Sequence, residues 1–217
     1  MTATIQRRYR QELKLDLYDW VVLVTGGGLG ARRLNTAVID NAADLLARYP
    51  KLVIIHVSGR SLEAEVRRQY TELVDVEALK RVVVKGFVTD MYRYSAAADV
   101  IIARAGATTL AEFAVQAKAC IIVPNHQLTG GHQAKNTAAF SAQGAIIELT
   151  EDQITQELRL SNTVGQLLDS PAKLADVSSR LGQFAKPHAA RDIANLLLSG
   201  AVLAPSSLLN PTNKQDV

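Results

Sequence analysis

Apolar residues along this chain concentrate in short, nearly continuous runs at 20–25, 52–57, 81–84, 100–103, 119–123 and 145–149. Runs this short and this rich in Val and Ile suit strands covered on both faces of a parallel sheet. Amphipathic stretches separate them. Leu34, Val38 and Leu45-Leu46 pattern one helix, Leu110, Phe113 and Ala114 a second, and Ala134, Ala138 and Phe140 a third. Strand–helix alternation implies right-handed crossovers. The predicted fold class is α/β: a doubly wound, mostly parallel six-stranded Rossmann-like sheet with helices on both faces and a helical C-terminal region.

The pattern changes after Leu149. Thr150 stands as a helix cap with Gln153 in the capping-box position. Helical spacing then continues to Ser199, broken at Ser170-Pro171 and Lys186-Pro187. The expected organisation is an N-terminal extension over 1–15, charged and at least partly helical, one Rossmann-like domain over 16–200, and a loose tail over 201–217. That tail holds Pro205 and Pro211 and little periodicity. No internal repeat is visible.

Composition adds constraints. The 217 residues are 48% hydrophobic and 21% charged, which supports a normal core, and the formal net charge is +3. Basic residues cluster only at Arg7-Arg8, Arg32-Arg33 and Arg67-Arg68. Solvated helix faces explain these pairs, and no nucleic-acid partner is expected. Cys120, the single cysteine, lies in an apolar run, so a buried, inert thiol is expected. The first twenty residues are polar, with no signal-peptide core, and no run approaches the ~20 apolar residues of a membrane helix. The expectation is a soluble, cytoplasmic chain.

The chemistry gathers in the turns after the strands. The first is Thr25-Gly26-Gly27-Gly28-Leu29-Gly30-Ala31. Its glycines exceed what a tight connection needs and let backbone approach a ligand. No Gly-Lys-Ser/Thr follows, so it is not a Walker A loop. Gly26, Gly28 and Gly30 give G-x-G-x-G instead of the dinucleotide spacing, and the second strand ends in His56-Val57-Ser58-Gly59-Arg60 without an acid. A nicotinamide cofactor, and with it a dinucleotide oxidoreductase, is disfavoured; no cofactor is expected.

In Lys85-Gly86-Phe87-Val88-Thr89-Asp90-Met91, Phe87 and Val88 would wall a base, although a core Phe beside a turn is as common. Arg104-Ala105-Gly106-Ala107-Thr108-Thr109-Leu110-Ala111-Glu112 follows a buried-strand run and opens a helix whose first amides favour an anion. Glu112 lies just over a turn inside. An anion seat beside a carboxylate suits a nucleotide sugar, the diphosphate taking the amides and the ribose hydroxyls the acid. After the fifth strand, His132, Gln133 and Asn136 open another helix, and Gln133 both donates and accepts. His126 and His132 have no third ligand nearby and no Asp-x-Asp occurs, so no metal site is expected. His56, inside a strand, reads as a hydrogen-bonded core residue. All these turns fall at the carboxyl ends of strands, the edge where open α/β sheets bind ligands.

Gly26-Gly27-Gly28-Leu29-Gly30-Ala31-Arg32, Gly86-Phe87-Val88, Arg104 through Glu112, and His132-Gln133-x-x-Asn136 occur in an order that resembles the carboxyl-terminal half of MurG-type glycosyltransferases, glycosyltransferase family 28, with the GT-B fold. The resemblance covers roughly 11–199. It implies that this half binds a UDP-sugar, UDP-N-acetylglucosamine above others. Backbone at Phe87 and Val88 would meet uracil, with Met91 near it. Gly27, Gly28, Leu29, Ala107 and Thr108 would hold the diphosphate, Glu112 the ribose, and His132 and Gln133 the sugar. Arg104, Gly106, Thr109 and Asn136 complete the donor-binding candidates; no catalytic residue is assigned. Family members often carry Ser where Gly28 stands, and a Gln pair where His132-Gln133 stands.

The implied activity is that of an inverting, metal-independent hexosyltransferase, incomplete alone. The acceptor-binding domain or subunit would be a partner, through which a lipid-linked acceptor at the inner membrane face is reached. The alternative is a non-catalytic nucleotide-sugar-binding or scaffold module.

Overall fold

A computed structural model describes residues 3–28, 30–125 and 132–199, with backbone alone at 132–136. By its internal contacts the chain divides into two units, 1–185 and 186–217.

The first unit holds β1 (Trp20–Thr25), β2 (Leu52–Val57), β3 (Val82–Lys85), β4 (Val100–Ala103), β5 (Ala119–Ile122) and β6 (Ile147–Glu148). They form one sheet in the order β3-β2-β1-β4-β5-β6, and every neighbouring pair is parallel. The final strand is shorter than the apolar run 145–149. Ala145 and Ile146 are buried but lie outside the ladder.

The helices are α1 (Ala3–Glu12), α2 (Arg32–Arg48), α3 (Glu63–Leu73), α4 (Val76–Leu79), α5 (Met91–Ala97), α6 (Ala107–Val115), α7 (His132–Ala142), α8 (Glu151–Ile154), α9 (Arg159–Leu168) and α10 (Pro171–Gly182), with a 3-10 turn at Arg60–Leu62. Side chains alternate along each strand, and the core divides accordingly. Val22, Val24, Ile54 and Ile102 pack with α2, α3 and α9 on one face. Leu23, Ile55, Ile101 and Cys120 pack with α5 and α6 on the other. Both faces of the sheet are thereby covered, as its nearly continuous apolar runs require.

Local signals set the helix ends. Leu34, Val38, Leu45 and Leu46 are all buried on α2. Arg81 closes the far end of that helix, donating to the carbonyls of Leu46 at 2.9 Å and Tyr49 at 3.0 Å. Thr150 and Gln153 form the capping box of α8, and Ser170 caps α10 with Pro171 in its first turn. Gln6 on α1 donates to Ala98 O and to Asp99 at 3.1 Å each, and Arg10 pairs with Asp99, so this helix is tied to the α5–β4 junction. Lys118 Nζ donates to the carbonyls of Ala96 at 2.7 Å and Ala98 at 2.8 Å, filling acceptors at the end of α5. Burial draws its pKa down to about 8, against the pull of Asp99. Cys120 is a buried free thiol whose pKa burial pushes up.

A polar chain runs through the core between β2 and the helices above it. Tyr70 Oη lies 2.9 Å from His56 Nδ1, and His56 Nε2 lies 3.0 Å from Asn35 Oδ1. Asn35 Nδ2 in turn donates to Ser58 O at 2.9 Å. Burial pushes the His56 pKa down to about 3, so the ring is neutral. Elsewhere Arg8, Arg32, Arg67 and Arg68 each meet a carboxylate, as solvated helix faces do.

In the second unit the described element is α11 (Ala189–Leu198), which begins just after the Lys186-Pro187 break. Residues 200–217, including the expected tail, lie outside the described residues. Among the described residues no helix is long and apolar enough to cross a membrane.

Candidate functional site

Parallel register brings the strand ends into line. Lys85 pairs with Val57, Val57 with Thr25, Thr25 with Ala103, and Ala103 with Ile122. The turns that follow therefore leave one edge side by side. Between β1 and β4 the strand order reverses, and the crevice at such a switch point is where doubly wound sheets bind ligands. The glycine-rich turn and the Arg104–Gly106 turn flank it.

The glycine-rich turn folds on itself. Gly27 N donates to Thr25 Oγ1 at 3.3 Å, and Gly30 N donates to Gly27 O at 3.0 Å. Gly30 has φ +79°, and a Cβ there would drive into the Ser58 carbonyl. At Gly28 the nearest atom to a built Cβ is Phe87 Cε2, at 3.8 Å, and at Gly27 nothing lies within 4 Å. Gly30 and Gly27, the latter at φ +85°, serve the turn, while Gly28 has no such backbone need; Gly27 and Gly28 are both exposed. Leu29 lies outside the described residues.

The second flank is held to the first, since Arg104 N donates to Thr25 O at 3.4 Å. Gly106 is the N-cap of α6, and among the described residues no side-chain cap hydrogen bond is made there. The first bond of the helix is Leu110 N to Gly106 O at 2.9 Å, which places the amides of Ala107, Thr108 and Thr109 ahead of the ladder. Such a helix start attracts an anion. One turn along the same face, Glu112 is exposed. It lines a depression of about 330 Å³ with Tyr92, Thr108, Ala111, Val115 and Gln116. Gln116 Nε2 donates to Tyr92 O at 3.2 Å and so joins α6 to α5 beneath it.

The third turn is split in character. Phe87 is 42% exposed. Val88 and Met91 are half-buried against the apolar cluster under α5 and α6. The Arg60 guanidinium stacks on the Phe87 ring, 3.8 Å from its centroid. Arg104 is buried, and its side chain bonds Val123 O at 3.1 Å and Glu151 at 2.6 Å. Glu151 also takes Arg33 at 2.8 Å. The Arg104 side chain thus ties the crevice to β5 and α8. His132, Gln133 and Asn136 open α7, and their side chains lie outside the described residues.

Sequence reasoning did not single out Arg60, Tyr92 or Glu151. Arg60 stands in the turn after the second strand, and its spacing gives no sign of the Phe87 ring it meets. Tyr92 neighbours Met91 but meets Glu112 only across two helices. Glu151 stands in the first turn of α8, 47 residues from Arg104 in sequence. Among the described residues no group of three or more His, Cys, Asp or Glu could hold a metal ion.

Residues 21–197, which include both flanks of the crevice, match the glycosyltransferase family 28 C-terminal domain. The chain belongs to this family. A relative in Myxococcus xanthus, a UDP-N-acetylglucosamine–N-acetylmuramyl-(pentapeptide) pyrophosphoryl-undecaprenol N-acetylglucosamine transferase, is 36% identical over 178 residues, 81% of this chain and 44% of its own length. Among solved structures, MurG of Acinetobacter baumannii superposes with a TM-score of 0.69 at 24% identity, over 89% of this chain and 53% of its own. Anabaena HepE in complex with UDP-glucose gives a TM-score of 0.62 at 18% identity, over 92% and 54%. These two likenesses show the shared fold. The family 28 chain described here spans about half the length of the curated relatives it matches.

Proposed function

We propose that this chain is the donor-binding half of an inverting, metal-independent glycosyltransferase that takes a UDP-sugar, UDP-N-acetylglucosamine first. One observation carries the reading: the exposed glycine backbone and the uncapped start of α6 flank the same switch-point crevice, with Glu112 one turn further on. The diphosphate takes those amides and Glu112 takes the ribose hydroxyls. Phe87 and Val88 are the proposed base contacts, and Tyr92 and Ala111 the proposed apolar wall. His132, Gln133 and Asn136 are the proposed sugar contacts. The relatives named as N-acetylglucosamine transferases support the donor, and HepE bound to UDP-glucose supports a nucleotide sugar in this fold.

In an inverting step the acceptor oxygen bonds to the anomeric carbon as the bond to the diphosphate breaks. The electron pair leaves on UDP. Stabilising that leaving group is this half's task, and helix-start amides each contribute ~0.3–1 kcal/mol when exposed and up to ~2 when partly buried. Several donors must therefore converge. The acceptor and the base that takes its proton belong to a partner domain or subunit, with a lipid-linked acceptor met at a membrane through it. The domain carrying this role is residues 16–200, between the extension 1–15 and the tail 201–217.

Calorimetric titration with UDP, UDP-N-acetylglucosamine, UDP-glucose and NAD, each with and without EDTA, tests the reading. Saturable UDP binding that is indifferent to EDTA, with no NAD binding, supports it. NAD binding without UDP binding refutes it.

A further inference from the structure

A diphosphate brings more negative charge into the crevice than a few partial charges at one helix start neutralise. The cations around the crevice are mostly spent. Arg104 and Arg33 share Glu151, Arg32 meets Glu65, and Arg67 holds Glu63 at 2.7 Å. Arg60 is different. It is exposed, and among the described residues its guanidinium makes no ion pair and no side-chain hydrogen bond. Its partner is the Phe87 ring, 3.8 Å away.

Backbone geometry sets this placement. Gly59, with φ +98°, turns the chain out of β2 directly before Arg60. Gly86 lets the next turn come close, since a Cβ there would lie 3.3 Å from the Arg60 Cα. The same Phe87 ring lies 3.8 Å from the Cβ position of Gly28. One aromatic ring therefore carries an unspent positive charge and borders the exposed backbone of the glycine-rich turn. Stacking holds a guanidinium in a fixed plane while its N–H fork stays available to phosphate oxygens.

We infer that Arg60, held on Phe87, is a further donor-binding residue that pairs with the diphosphate of the nucleotide. This inference rests on the donor-site reading above and adds the cation that reading lacks.

The test uses the full chain and its Arg60→Met and Arg60→Lys variants, titrated with UDP and with uridine, with thermal melting to show that each variant folds. Methionine keeps apolar cover on Phe87 and removes the charge. Arg60→Met is expected to weaken UDP roughly tenfold or more, the scale of one charge-assisted hydrogen bond, and to leave uridine unchanged. Arg60→Lys is expected to retain part of the UDP affinity, and raising salt should weaken UDP less in Arg60→Met than in the wild type. Unchanged UDP affinity in Arg60→Met overturns the inference, as does an equal loss for UDP and uridine, which would mark Arg60 as support for Phe87. If the wild type binds neither ligand, the donor-site reading fails before Arg60 is reached.

Discussion

Arg104 and Glu151 meet at 2.6 Å with both side chains a tenth exposed or less, and this contact joins the α6 turn to the first residue of α8. The other Glu151 oxygen holds Arg33, two residues after the glycine-rich turn ends. A single carboxylate thus spans both flanks of the crevice. Losing one partner of a buried pair leaves the other charge uncompensated, which costs about 3–5 kcal/mol. Glu151→Ala should lower urea stability by about that amount. A loss under ~1 kcal/mol would show that solvent already screens the pair.

The His56 network sets a pH limit on stability. The ordinary His pKa is 6.5, and burial draws the folded value down to about 3. Well above pH 6.5 the ring is neutral in both states. As pH falls from there towards 3, the unfolded chain takes up a proton that the folded chain refuses, so stability declines. Roughly 2 kcal/mol should be lost between pH 7 and pH 5 from this group. His56→Gln keeps a donor and an acceptor and does not titrate, so its urea stability should show that much less change over the same interval. Identical pH dependence in both proteins would remove His56 as the cause.

The glycine-rich turn separates folding from binding. Gly30→Ala meets both a positive φ and the Ser58 carbonyl, and should unfold the turn or the protein. Gly28→Ala meets open space bordered by Phe87 and should leave the melting temperature within a few degrees. It should weaken UDP measurably, because the new methyl stands where phosphate would approach. A Gly28→Ala protein that melts much lower would mean that this glycine serves the turn.

Much of the fold was legible because its signals are local. Nearly continuous Val/Ile runs located the sheet, and Thr150 with Gln153 announced α8. The helices that escaped notice have little apolar face to show. α3 buries only Val66 and Tyr70, and the buried residues of α5 are Ser95, Ala96 and Ala97, too small to mark a stripe. The site divides in the same way. The glycine turn and the Glu112 segment each follow one strand and are contiguous in sequence. Tyr92 facing Glu112, Arg60 on Phe87 and Glu151 on Arg104 join residues brought together by parallel register and by helices packed side by side, which no spacing along the chain encodes.

Glu112 carries the central claim, since it is the acid beside the anion seat. Isothermal titration of UDP into the wild type and Glu112→Ala measures its part. A hydrogen bond to a charged group contributes ~1.5–3 kcal/mol, so the variant should bind UDP roughly 10- to 100-fold more weakly with its melting temperature unchanged. Equal UDP affinity in the two proteins would contradict the account, because the ribose would then lie elsewhere.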